Sequence, residues 1–168
     1  MRRKVIVNRT GSSMDLNEVQ TRVAAALAGF TDADRYLLEN DLSERCIAAR
    51  FALHLQPLFP DYSVDVEYNR EGRTPKYLAL SDECANPDYR NEDGDSLVVP
   101  DLIVHSRGAD GPNLLVLEFK KTTNRCGFDC DRERVIAFKN VLGYCFGALI
   151  ECETRKGSDP AIRVAEWL

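Results

Sequence analysis

Between residues 15 and 29 the apolar positions recur at threes and fours, with Leu16, Val19, Val23, Ala26 and Leu27 on one side. That spacing predicts an amphipathic helix. A second, shorter helical stretch is expected at 33–40. A third helix is predicted over 42–57, where Ile47, Ala48, Phe51 and Leu55 form one stripe and Pro57 and Pro60 close it. The period then drops to two. Residues 62–68 alternate apolar and polar, as a strand with one wet face does. Residues 69–96, rich in Gly, Pro, Asn and Asp, read as a long loop with a short element at 76–80. A loop of that length inside one domain is usually functional or mobile.

Two dense apolar runs follow, Leu97 to His105 and Leu114 to Phe119, separated by a polar turn, and together they predict a β-hairpin. Helical spacing returns over 131–142 through Val135, Phe138 and Leu142, and residues 144–152 and 162–167 read as two more strands. This order predicts an α/β fold, a mixed central sheet with helices on both faces. A single domain is expected over 1–168, with a helical extension at 1–41, a core at 42–152 and a final strand in 153–168.

Composition narrows the class. With 168 residues, 44% of them hydrophobic and 29% charged, the chain is long enough to enclose a core and reads as an ordinary globular protein. No apolar run approaches the roughly 18 residues of a membrane span. The basic start, Met1 to Lys4, is followed by only a brief apolar stretch that ends at Asn8, so no export signal is expected and a cytoplasmic location is. Six cysteines in such a setting predict isolated, reduced thiols. Cys46, Cys84, Cys145 and Cys152 are scattered, and the one close pair, Cys126 and Cys130, lacks a second pair or a nearby histidine to complete a zinc set. The net charge of -5 argues against a tight, non-specific coat of nucleic acid, but not against a local basic groove.

The hairpin carries the chemistry. Centring its turn between Ala109 and Asp110 sets Asp101 opposite Glu118, Leu102 opposite Leu117, Ile103 opposite Val116 and His105 opposite Leu114. A slip of one residue would undo this pairing. Side chains alternate along a strand, so Lys120 shares the facing of Glu118, while Phe119 and Lys121 point to the other face. Adjacent carboxylates on a covered sheet repel and lose hydration, and a hard divalent ion such as Mg²⁺ or Mn²⁺ removes that cost. With a lysine beside them, the set suits attack of water on a phosphodiester. The competing reading is a structural ion pair of Lys120 with Asp101 or Glu118.

Pro100-Asp101 followed by Glu118-Phe119-Lys120, with sixteen residues between the two carboxylates, resembles the signature of the PD-(D/E)xK (restriction-endonuclease-like) nucleases. Segments 64–70, 100–105 and 113–121 are similar to a group of uncharacterised bacterial members. The resemblance covers about residues 42–152 and implies an αβββαβ core. It further implies that Asp101, Glu118 and the Phe119 carbonyl hold Mg²⁺, which Mn²⁺ can replace, and that Lys120 positions water. A glutamate on the first core helix often joins such sites, and Glu44 matches it. From spacing alone, Asp41 to Glu44 reads as a capping box, with Glu44 folded back on the helix start. The resemblance sets the catalytic, metal-site reading of Glu44 above that cap, and one residue can serve both roles.

Arg132, Arg134 and Lys139, on the helix after the motif, are candidate phosphate contacts, against the commoner reading of a solvated helix face. His54 and His105 read as satisfied structural histidines rather than bases. The function expected is Mg²⁺-dependent hydrolysis of nucleic-acid phosphodiester bonds by an endonuclease acting on DNA, with a homodimer as one way to cut two strands. Two alternatives stand beside it, RNA cleavage or an exonuclease, and a non-catalytic nucleic-acid- or protein-binding module on the same scaffold.

Overall fold

The computed structural model describes residues 14–108 and 112–168. The basic N-terminal start and the turn centre at Ala109–Asp110 lie outside the described residues.

Helix α1 runs from Leu16 to Glu39, capped by the Asp15 carboxylate, which accepts from Glu18 N at 2.8 Å. The two helical stretches expected at 15–29 and 33–40 are one helix. Nothing between them breaks it: the buried stripe Val19, Val23, Ala26, Phe30, Asp34 and Leu38 continues without a shift of phase. Gly29, the residue most unfavourable to a helix there, is where α2 approaches, since a Cβ would lie 3.2 Å from His54 Nδ1. Asp34 sits within the apolar stripe because α2 supplies its partners, Arg50 Nε at 2.7 Å and His54 Nε2 at 2.6 Å.

Helix α2, Glu44–Leu55, starts at the Ser43 cap, whose hydroxyl accepts from Cys46 N, and passes into a 3-10 turn at Gln56–Leu58 around Pro57. Strand β1 (Ser63–Val66) is shorter than the 62–68 alternation suggested, because Glu67 turns the chain at a φ of 51°. The long segment that follows is not structureless. It holds two small antiparallel pairs, β2 (Arg70–Glu71) with β3 (Thr74–Pro75), and β4 (Tyr77–Leu78) with β5 (Ser96–Leu97). The run from Leu97 to His105 is therefore two pieces. Leu97 pairs away from the main sheet, and after Pro100 strand β6 (Leu102–His105) enters it.

Strand β7 (Asn113–Lys121), helix α3 (Asp129–Leu142), and strands β8 (Phe146–Glu153) and β9 (Ala161–Trp167) complete the chain. The five-stranded sheet has the order β1-β6-β7-β8-β9, with β7 and β8 parallel and every other neighbour antiparallel. The parallel pair requires a crossover, and α3 provides it. Leu102 pairs with Leu117 and Ile103 with Val116, the register expected. A bulge after Val104 then sets His105 opposite Asn113, not Leu114 as the uninterrupted register requires.

The architecture is a mixed α/β fold with helices on both faces. Leu102, Val104, Leu115, Leu117 and Phe119 pack with α1 and α2, whereas Ile103, Val116 and Leu149 pack with Val135 and Phe138 of α3. Gly147 lets α3 settle on the sheet, since a Cβ there would overlap Val135 Cγ1. No helix among the described residues is long and apolar enough to cross a membrane.

Candidate functional site

The alternation of β7 sends Leu117 and Phe119 into the α1–α2 layer and leaves Val116, Glu118 and Lys120 facing α3. Asp101 stands just before β6, where the chain leaves Pro100 and joins the sheet. Its Oδ2 accepts from Phe119 N at 2.7 Å, and its own carbonyl accepts from Glu67 N at 3.3 Å. The side chain thus takes over a backbone donor of β7 at the point where the β6–β7 ladder ends. This ties Asp101 to the residue next to Glu118.

Burial raises the Asp101 carboxyl to a pKa of about 6; the Phe119 N–H and the charge of Arg134 oppose that rise, and the nearby Glu44 and Asp131 add to it. Glu118 is 1% exposed, and its pKa is pushed well above the usual carboxylate range, first by burial and then by the Asp101 charge. Glu118 Oε2 accepts from Arg134 Nη2 at 3.2 Å. Its other oxygen, Oε1, is buried and finds no hydrogen-bond partner among the described residues. Such a group costs about 1–3 kcal/mol or more when charged, so a site built this way is short of one cation or donor.

Lys120 pairs with neither Asp101 nor Glu118. Its Nζ lies 2.7 Å from Asp131 Oδ2 on α3, in charge contact though outside hydrogen-bond alignment. Asp131 is 2% exposed and its Oδ1 accepts from Arg134 Nη2. The site is therefore a line of alternating charges, Glu118, Arg134, Asp131 and Lys120, with Asp101 beside Glu118. Asp131 was absent from the sequence-based site. Its signal was there: it stands in register with Val135, Phe138 and Leu142 at intervals of four, three and four, an acid in an apolar helical stripe.

Glu44 approaches the same end of β7 from the opposite layer. It does not fold back as a capping box, because Ser43 caps the helix. Instead Glu44 Oε1 accepts from Lys121 N at 2.8 Å and from Asn124 Nδ2 at 3.3 Å. Lys121, on the α2 side as its alternation required, reaches Asp41 Oδ1 at 2.9 Å. Of the basic residues on α3, Arg134 belongs to the buried site. Arg132 pairs with Glu166 at 2.7 Å, and Lys139 Nζ donates to the Leu168 carbonyl. A groove of 280 Å³ opens beside Lys120, lined also by Asn124, Cys126, Phe128, Glu151 and Arg155.

Both histidines are satisfied by carboxylates, His54 by Asp34 and His105 by Asp65 at 2.9 Å. The expectation of isolated thiols is overturned for two cysteines: Cys84 and Cys130 form a disulfide that ties the long loop to the first turn of α3. The loop folds back onto α3 across 46 residues of sequence, a distance that spacing rules do not read.

Among the described residues no group of three or more His, Cys, Asp or Glu side chains is arranged to hold a metal ion. The donors present are two adjacent carboxylates, one of them, Glu118, with a buried oxygen that has no hydrogen-bond partner among the described residues. They fit a hard divalent ion of the Mg²⁺ kind, which is commonly bound through one or two carboxylates and keeps several waters. Comparison of the chain with protein-family models, curated proteins and solved structures returned no match.

Proposed function

We propose that the chain is a Mg²⁺-dependent nuclease of the PD-(D/E)xK type, an endonuclease acting on DNA. One observation carries the reading: Asp101 and Glu118 are neighbours at one end of the β6–β7 pair, and Glu118 keeps a buried oxygen with no hydrogen-bond partner among the described residues. The element sequence α2, β1, β6, β7, α3, β8, with its parallel β7–β8 crossover, supports the αβββαβ core that this assignment requires. Asp101, Glu118 and the Phe119 carbonyl would hold the ion. The ion would supply charge for the developing phosphorane and acidify a bound water. Lys120, which lines the groove and rests against Asp131, would orient water against a phosphate laid in that groove. Glu44 would hold the end of β7 through its bond to Lys121 N and sustain the position of Lys120.

The second reading is a non-catalytic binding module. The internal pairing of Arg134 with Glu118, and of Lys120 with Asp131, favours it, since a retired site can survive as a charge network. Purified wild type, Asp101→Asn and Lys120→Met, incubated with plasmid, single-stranded DNA and RNA in Mg²⁺ or Mn²⁺, separate the two. Metal-dependent cutting of DNA by wild type alone is expected. Equal cutting by all three would assign it to a contaminant, and binding without cutting would favour the module.

A further inference from the structure

Arg134 holds a peculiar place in the site. Nη2 is shared between Glu118 Oε2 and Asp131 Oδ1, so the guanidinium already touches two acids through one nitrogen. Both acids are almost fully buried, at 1% and 2% exposure, while the Arg134 side chain is 27% exposed at the rim. Ionised together, Asp101, Glu118 and Asp131 outweigh Lys120 and Arg134 by one negative charge. A divalent ion on Glu118 would reverse that balance. It would also meet the Arg134 charge on the same carboxylate, where two cations in a low-dielectric site repel strongly.

Resting on the metal-site reading above, the geometry points to Arg134 as the resident counter-ion of Glu118, a built-in cation that yields Glu118 to the divalent ion and withdraws onto Asp131. The withdrawal is short, because Arg134 already bonds Asp131. Asp131 can receive it, since its other oxygen is already in charge contact with Lys120 Nζ at 2.7 Å. The same movement leaves Asp131 between its two cations, Arg134 and Lys120, when the ion arrives. Arg134 is thus a positioning residue that sets metal affinity, not a phosphate contact on the helix surface.

The experiment measures Mn²⁺ affinity by electron paramagnetic resonance for wild type, Arg134→Gln and Arg134→Lys, together with metal-free melting of Arg134→Gln, Glu118→Gln and the double variant. Removing the competing charge should tighten Mn²⁺ about fivefold or more in Arg134→Gln, and Arg134→Lys should restore wild-type affinity. Without metal, Arg134→Gln should lower the melting temperature, and Glu118→Gln should remove most of that loss. If wild type binds Mn²⁺ and Arg134→Gln binds it no more tightly, the counter-ion role is overturned while the metal site stands. If only Arg134→Gln binds Mn²⁺, the arginine outcompetes the ion, which supports the inference and moves the native chain toward the binding-module reading. If no protein binds it, or Arg134 and Glu118 show no coupling, the inference falls.

Discussion

Replacing Asp101 with Asn should stabilise the metal-free protein, and only above the pH at which the carboxyl ionises. Asp101 has its pKa raised from 3.8 to about 6, chiefly by burial. The linkage is that of a group bound more tightly to its proton in the folded state. Its favourable contribution is complete below 3.8 and is lost as pH rises through about 6. A shift of that size corresponds to roughly 3 kcal/mol, and the edge of Asp101 that remains open to solvent reduces this to about 2 kcal/mol. Asn keeps the shape, and its carbonyl can still accept from Phe119 N, so little else changes. At about pH 7.5 the variant should melt roughly 4–8 °C above wild type in a chelator, and near pH 4 the gap should close. Differential scanning fluorimetry across that range reads both. Millimolar Mg²⁺ should then raise wild type and leave Asp101→Asn unmoved. A variant that melts at or below wild type at every pH would refute the claim that the carboxylate is held at a cost.

Two further predictions concern the frame of the site. Cys84→Ser should cost about 4 kcal/mol by the loop-entropy relation, since the Cys84–Cys130 bridge closes 46 residues, and the same loss should appear when wild type is melted in dithiothreitol. No change with reductant would mean that the bridge contributes nothing to the folded state in solution. Gly147→Ala should destabilise by about 1–3 kcal/mol, because its methyl would overlap Val135 Cγ1 and push α3 off the sheet. Urea unfolding checks it, and a change within error would show that α3 has room to move.

What could be read from the chain alone was whatever depends on neighbours in sequence. The dense apolar run 114–119 marked a strand, and the alternation of side chains along any strand set which of them share a face of β7. The hairpin made Leu102 meet Leu117, so Asp101, Glu118 and Lys120 were legible at one end of one face. The α/β class followed from the order of periods. Tertiary structure decided the rest. It merged the two expected helices into α1 because α2 supplies partners to Asp34, and it turned Glu44 from a local cap into an anchor for Lys121 N. It brought Cys84 to Cys130, and it placed Asp131 and Arg134 between the motif's own charges. Periodicity records which face a side chain takes, because backbone geometry repeats at short range. Which charge it meets there depends on how separate elements pack, and that distance is not written in the spacing of either one.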